Sequence, residues 1–307
     1  MGVMCTARVA ICNRLDLAPI VPRPSPQTDR VVAVVELLAS RPNQPLSLAA
    51  VTRHLGINKS TCYSMLTALT QAGWLLRDPF RKTYRLGPAL AAVSRVAAEG
   101  FPALDFARSA IETLSRETGA NCAALSVADD HVTVVDQVRD LRAIGPGLAI
   151  SAPIPLRPPL GTVVVAWWPP EAVDRWLAQA PEPAHGRLRR ALAVTRDRGY
   201  TVELAARPQT RLREAVVGAG EPGVRVSQLL AELAGELVER DDFLGVDLEP
   251  DGSYLVGTVN APVFDPAGNV TLVLALNGFS SALTGREVDA LGHRLVQAAT
   301  TVSKALA

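Results

Sequence analysis

A chain of 307 residues, 48% hydrophobic and 20% charged, is long enough for two domains and has the makeup of a globular protein, which excludes disordered and fibrous classes. Its net charge of +1 excludes any argument for a nucleic-acid partner from bulk charge, but the charge is unevenly placed: residues 29–100 carry nine Lys/Arg against four Asp/Glu, and residues 101–307 carry 19 against 25. No apolar run reaches the roughly 20 residues that span a bilayer. The best candidate, Leu160 to Trp168, stops at Pro169 and Pro170, and a cytoplasmic protein without membrane partners is expected.

Residues 1–28 hold Pro19, Pro22, Pro24 and Pro26 without a sustained period and read as a disordered arm or a misplaced start site. A loose myristoylation match over Met1 to Thr6 is followed by nothing polybasic and is set aside. From Asp29 a helix is expected, with Val31, Val32, Val34, Val35, Leu37 and Leu38 on one broad face, ended by Pro42 and Pro45. Ser47 can cap a second helix that Gly56 stops, and Asn58 a third. In the third helix Cys62, Met65, Leu66 and Leu69 recur at i, i+3, i+4 and i+7, the spacing of one buried stripe. Gly73 closes it. Trp74 to Arg77 and Thr83 to Leu86 read as two short strands around a basic turn, Asp78-Pro79-Phe80-Arg81-Lys82.

A helical linker over 89–101 leads to a helix from about Pro102 to Thr118. Cys122 to Val127 and His131 to Val138 alternate like an antiparallel hairpin. Gly161 to Trp168, Glu171 to Gln179 and Arg187 to Arg198 read as helices, and Tyr200 to Leu204 as a strand. Val226 to Arg240 is amphipathic, with Leu229, Leu230, Leu233 and Leu237 aligned. Leu255 to Phe264 and Asn269 to Leu276 form a second hairpin, and a helix from about Thr284 ends the chain. The fold class is therefore α+β, with a helical N-terminal domain over 29–88, a linker helix over 89–101 and a larger sheet-containing domain over 102–307.

Three helices followed by a two-stranded basic turn is the order of a winged helix-turn-helix. Its third helix enters the major groove while the second braces it against the backbone. With the stripe facing the core, Lys59, Ser60, Thr61, Tyr63 and Ser64 are left on the outward N-terminal face, a set suited to base edges and phosphates. Ser47 and Asn58 at the caps, and Arg77, Arg81 and Lys82 on the wing, complete the candidate contacts to double-stranded DNA.

Leu55-Gly56-Ile57-Asn58-Lys59-Ser60-Thr61, Leu69, Gly73-Trp74-Leu75-Leu76-Arg77 and Tyr84-Arg85-Leu86-Gly87-Pro88 resemble the DNA-binding domain of the IclR family of bacterial transcriptional regulators. The similarity continues through Gly119-Ala120, Val134-Val135-Asp136, Leu160-Gly161, Arg198-Gly199-Tyr200 and Ala261-Pro262-Val263-Phe264-Asp265 with Gly268, and so covers most of 29–307. The resemblance implies a GAF- or PAS-like second domain, an antiparallel sheet with covering helices that binds a small-molecule effector. It also implies homodimers or dimers of dimers, with repression as the commoner mode. The chain departs from the family at Ser64, where a basic residue is frequent, and at Arg157 to Thr162. It also departs between Glu203 and Tyr254, where it carries many more residues than the usual short loop.

A curved sheet under helices leaves a concave pocket with few polar groups. Asn121, Gln137, Gly161, Glu203, Asn260 and Asn277, on strand ends or the covering helix, are the candidate effector contacts. Catalysis is not expected. The four histidines (His54, His131, His185 and His293) show no HExxH spacing, no GxSxG or GxxxxGK motif occurs, and Cys122 lies on an alternating strand, where a cysteine packs as a small hydrophobe. The four cysteines form no CxxC or Cys/His cluster, so no metal and no cofactor is expected. The sequence thus reads as an effector-controlled transcriptional regulator. The alternative is a pocketless interaction and oligomerisation protein whose winged helix is not a specific DNA reader.

Overall fold

The computed structural model describes residues 25–39, 41, 44–99, 102–144, 153–205, 232–240 and 242–306. The chain opens with α1 (Pro26–Ala39), β1 (Leu46–Ser47), α2 (Leu48–Leu55) and α3 (Lys59–Gln71), then β2 (Leu75–Arg77) and β3 (Thr83–Leu86). Helix α1 starts three residues before the expected cap. Pro26 takes the first helical position, where its missing N–H costs nothing, and the Asp29 N–H reaches the Ser25 carbonyl at 3.0 Å. Residues 26–28 are therefore helix and not part of an arm, while the expectation for 1–24 lies outside the described residues.

The buried face of α1 is narrower than its valines suggested: Ala33, Val34, Leu37 and Leu38 are inside, and Val32 is exposed. These residues meet Val51, Leu55, Ile57, Cys62, Met65, Leu66, Leu69, Leu75 and Tyr84 in one core. A short strand that the pattern does not reveal, β1, pairs with β3 in the order β1-β3-β2 and ties the start of α2 to the wing. Helix α4 (Pro88–Glu99) then leads into α5 (Pro102–Thr118).

Six antiparallel strands run in the order β6-β5-β4-β10-β9-β7. They are β4 (Asn121–Val127), β5 (His131–Val138), β6 (Pro153–Pro155), β7 (Thr201–Leu204), β9 (Val256–Phe264) and β10 (Val270–Asn277), with β8 (Ser253–Tyr254) and β11 (Leu283–Thr284) as a separate pair. One face of the large sheet presents Cys122, Ala124, Val259, Ala261, Val263, Leu272, Leu274 and Leu276 to α5 and to the C-terminal helix (Gly285–Ala305). The other face carries Ala123, Leu125, Val134, Val273 and Ala275, which pack against Leu156, Val163 and Val164. Because side chains alternate along a strand, one register serves both layers.

The expected helix over Gly161 to Trp168 is only one turn, α6 (Thr162–Val165). Prolines bound it on both sides, and its valines are buried all round rather than on one stripe. Helices α7 (Pro170–Leu177) and α8 (His185–Arg198) follow, packed through Trp176, Leu177, Leu188 and Leu192. Of the amphipathic stretch expected over 226–240, residues 232–238 are helical with Leu233 and Leu237 fully buried, while Leu229 and Leu230 lie outside the described residues. Two arginines of α8 hold the segment that follows: the Arg187 Nη2 donates to the Val238 carbonyl at 2.6 Å, and Arg190 pairs with Asp247 at 2.6 Å.

Candidate functional site

Two surfaces bring the singled-out residues together. On the first, the Asn58 Oδ1 caps α3 by accepting from the Thr61 N–H at 2.8 Å and from the Ser60 hydroxyl at 2.9 Å. The cap fixes where α3 begins. With Cys62, Met65, Leu66 and Leu69 facing the core, Lys59, Ser60, Tyr63 and Ser64 stand exposed, and Tyr63 keeps 56% of its surface open. Ser64 donates back to the Ser60 carbonyl at 3.1 Å, leaving its oxygen free to accept. Ser47 is half-buried and caps α2, its Oγ accepting from the Ala50 N–H at 3.2 Å; it is the brace for the helix rather than an outward group. Gly56 (φ +61°) makes the left-handed turn between α2 and α3 that a side chain would strain.

The wing adds Arg77, Arg81 and Lys82, all exposed, with the Arg77 guanidinium 6.0 Å from the centre of the Tyr84 ring. Arg85 joins them. It sits opposite Leu76 on β3 and points outward because Tyr84 beside it points in. Period-two alternation around a buried Tyr84 is the signal that would have revealed it. Thr67 and Gln71 extend the outer face of α3 in the same way, one and two turns on from Ser64.

The second surface lies on the sheet. Register places Gln137, Ala123, Ala275, Asn260 and Thr201 in one row across β5, β4, β10, β9 and β7. The next row is Asn121, Asn277, Thr258 and Glu203. Both rows share the face that α6 partly covers. They form a polar strip of two hydrogen-bonded groups: Asn121 Nδ2 donates to Asn277 Oδ1 at 3.5 Å in one, and in the other Asn260 Nδ2 donates to Thr258 Oγ1 at 3.0 Å and to Thr201 Oγ1 at 3.3 Å, and Thr258 Oγ1 to Glu203 Oε2 at 2.8 Å. Asn121, Asn260, Asn277, Thr201 and Thr258 are all buried. Thr201 and Thr258 are absent from the sequence-based set, although each alternates with a residue in it.

Gly161 begins the helix over this face, at φ +77°, where a Cβ would fall 2.4 Å from Leu156 Cδ2. Its demand is conformational and steric. Beyond the strip the Asn121 Oδ1 accepts from the Asp140 N–H at 3.2 Å. Asp140 grips Arg142 through two bonds of 2.8 and 2.9 Å, and Arg142 donates to the Arg116 carbonyl near the end of α5 at 3.0 Å. Those bonds from Arg142 hold the Asp140 carboxyl at about 2, well below the ordinary range.

Cys122 points to the opposite face, buried against α5 and the C-terminal helix, and burial pushes its thiol up to about 12. A thiol held that firmly protonated is a packing group, not a nucleophile. Among the described residues no group of three or more His, Cys, Asp or Glu side chains could hold a metal ion, and no helix is long and apolar enough to cross a membrane.

The model of the IclR helix-turn-helix domain matches residues 27–79, the stretch that holds α1, α2 and α3 and reaches the wing. Residues 27–79 thus carry an IclR-type helix-turn-helix domain. The DNA-binding transcriptional repressor YiaJ of Escherichia coli (strain K12) is 29% identical over 106 residues, a match that spans 34% of this chain and 37% of the repressor. The chain thus aligns with little more than a third of the length of that curated relative. Solved structures extend the likeness beyond the helix-turn-helix domain to the rest of the fold. An IclR transcriptional regulator from Alicyclobacillus acidocaldarius aligns over 93% of this chain and 100% of its own, with TM-score 0.61 and 19% identity. IclR of Thermotoga maritima aligns over 92% and 98%, with TM-score 0.58 and 16% identity. An IclR homologue from Microbacterium hydrocarbonoxydans, complexed with 4-hydroxybenzoate, aligns over 91% and 98%, with TM-score 0.58 and 15% identity. At these identities the structural likeness establishes the fold: a helix-turn-helix domain followed by a curled antiparallel sheet with helices.

Proposed function

We propose that this chain is a transcriptional regulator that reads double-stranded DNA through α3 and the wing and is controlled by a small molecule bound over the polar strip. The observation that carries the reading is the outer face of α3. Lys59, Ser60, Tyr63 and Ser64 stand free of the core beside a wing with four exposed cations, on a domain of the IclR family. Phosphate contacts from Lys59, Arg77, Arg81, Lys82 and Arg85 set register, and Tyr63 with the serines and Thr61 meets base edges.

The effector reading rests on the strip of buried Asn121, Asn277, Asn260, Thr258 and Thr201 with the half-buried Glu203, with Gln137 in the same row and Gly161 starting the covering helix. A buried row of amides and hydroxyls suits a small polar ligand, and the Microbacterium homologue, similar in fold, is complexed with 4-hydroxybenzoate. Repression is the reading supported by the similarity to YiaJ. The separate cores on either side of α4 (Pro88–Glu99) support a division into a DNA-binding domain at 29–88, a linker at 89–101 and an effector domain at 102–307. Val93 and Val96 of α4, 51% and 69% exposed in the single chain, give a second copy an apolar strip to pair with, which supports a homodimer on a two-fold operator. The protein acts in the cytoplasm, with no catalytic step of its own and no resident cofactor.

The test is fluorescence anisotropy of the full chain on the DNA upstream of its own gene and on random duplexes, across a salt series, beside Lys59→Ala/Tyr63→Ala. Selective binding that the double variant loses is the expected result. Binding that depends on salt but on neither sequence nor those side chains would refute the reading and favour an interaction module.

A further inference from the structure

Phe80 stands at the tip of the wing with 93% of its surface exposed, where burying a phenyl ring would ordinarily be worth a few kcal/mol. Its backbone is held by the turn in which it sits. The Asp78 carboxylate turns inward and its Oδ1 accepts from the Phe80 N–H at 2.8 Å and the Arg81 N–H at 3.0 Å. Below the turn the Asp78 N–H donates to the Thr83 carbonyl at 2.8 Å. Lys82 takes the left-handed conformation, φ +53°, that returns the chain to β3. Pro79 stiffens the approach. The result is a rigid apex carrying one apolar ring, with Arg77, Arg81, Lys82 and Arg85 around it and the single nearby acid committed to the turn.

Among the described residues, the exposed ring in its cationic collar has no packing partner to explain it. A protein surface that recognised the ring would be repelled by four positive charges unless it were strongly acidic. Duplex DNA supplies both halves of the match. Its phosphates answer the collar, and its minor groove admits apolar side chains that wedge between base pairs, partly unstack them and bend the helix.

We infer that Phe80 is a minor-groove wedge: it enters between adjacent base pairs at the edge of the site read by α3 and bends the operator. The inference rests on the DNA-reading role of the domain and adds to it a second source of selectivity. Pyrimidine–purine steps unstack at the least cost, so the wing favours sites carrying such a step under its tip, with no hydrogen bond to any base.

The test begins by letting the full-length protein select duplexes from a randomised pool. One selected duplex is then labelled with a fluorophore pair at its ends and with 2-aminopurine at the flanking pyrimidine–purine step. Wild type should shorten the end-to-end distance and raise the 2-aminopurine signal. Phe80→Ala should lose both signals and bind about tenfold more weakly, with its salt dependence unchanged because no phosphate contact is gone. Phe80→Leu, which keeps an apolar wedge, should retain bending. The exposed position should let both variants fold as wild type does, which thermal melts check. Wild-type bending and unstacking by Phe80→Ala, or no unstacking by wild type on DNA it binds selectively, would overturn the wedge while leaving the DNA-reading role standing. A wild-type chain that enriches no duplex would remove both.

Discussion

Gly292, in the middle of the C-terminal helix, faces the ring of Tyr200, and the pair makes a sharp energetic test of the packing beneath the sheet. A Cβ on Gly292 would lie 2.4 Å from both Cε2 and Cζ of Tyr200 and 2.6 Å from Cε1, where carbon atoms pack best at about 3.5–4.0 Å. The ring has little freedom to retreat. Tyr200 is 1% exposed, its hydroxyl donates to Asp289 Oδ1 at 2.6 Å, and the Arg198 guanidinium sits 4.6 Å from its centre. Overpacking of this kind costs about 1–3 kcal/mol, and three ring atoms in conflict place Gly292→Ala near the upper end. The same substitution in a helix interior otherwise gains about 1 kcal/mol from reduced backbone entropy. The net expectation is a destabilisation of about 2 kcal/mol in the natural chain. In a Tyr200→Leu background the obstacle is gone and the sign should reverse, Gly292→Ala then stabilising by up to about 1 kcal/mol. Urea unfolding followed by tryptophan fluorescence in a Trp74→Phe background reads the right region, since the other three of the four tryptophans, Trp167, Trp168 and Trp176, lie beyond the linker. A neutral or stabilising effect in the natural chain, or the same effect in both backgrounds, would refute the reasoning.

Leu66→Ala, at a fully buried position of α3, should cost about 3 kcal/mol and abolish DNA binding while leaving the unfolding transition of the sheet region in place. Retained DNA affinity in a gel-shift assay would contradict the idea that the stripe orients the outer face. Asp140 gives a pH test with a definite sign. Its folded pKa, held at about 2 by Arg142, is depressed, so its contribution to stability is fully present above about pH 4 and fades as the pH falls through about 2. Carboxyl NMR titration should show Asp140 moving back toward the ordinary range in Arg142→Gln, and an unchanged titration would rule the clamp out.

The N-terminal half was readable because its signals are local. A cap at Asn58, a glycine at 56 and four apolar residues at helical spacing each act within a turn or two, and the structure buries Cys62, Met65, Leu66 and Leu69 as the spacing requires. The start of α1 was misplaced because Asp29 looks like a cap, whereas Pro26 fits the first turn without cost. Strand β1 is two residues long and owes its existence to β3, 36 residues on, so nothing near Leu46 announces it. The one-turn α6 was overextended because a buried apolar run has no period to measure. For the sheet, alternation assigned residues to strands but could not say which strand faces which. Only the register reveals that Asn121, Asn277, Asn260, Glu203 and Gln137, drawn from five strands spread over some 150 residues, share one surface, and that Thr258 stands among them with Thr201 at the sheet edge.

Alternation along these strands also separates two kinds of evolutionary freedom. The residues that seat α5 and the C-terminal helix are the neighbours in sequence of those in the polar strip, yet they lie on opposite sides of the backbone: Cys122 beside Asn121, Val259 between Thr258 and Asn260, Leu276 beside Asn277. Substitutions at the strip positions can therefore redraw its pattern of donors and acceptors while the helices keep their footing. A scaffold arranged in this way can be re-addressed to a new molecule one residue at a time, each step leaving a protein that still folds.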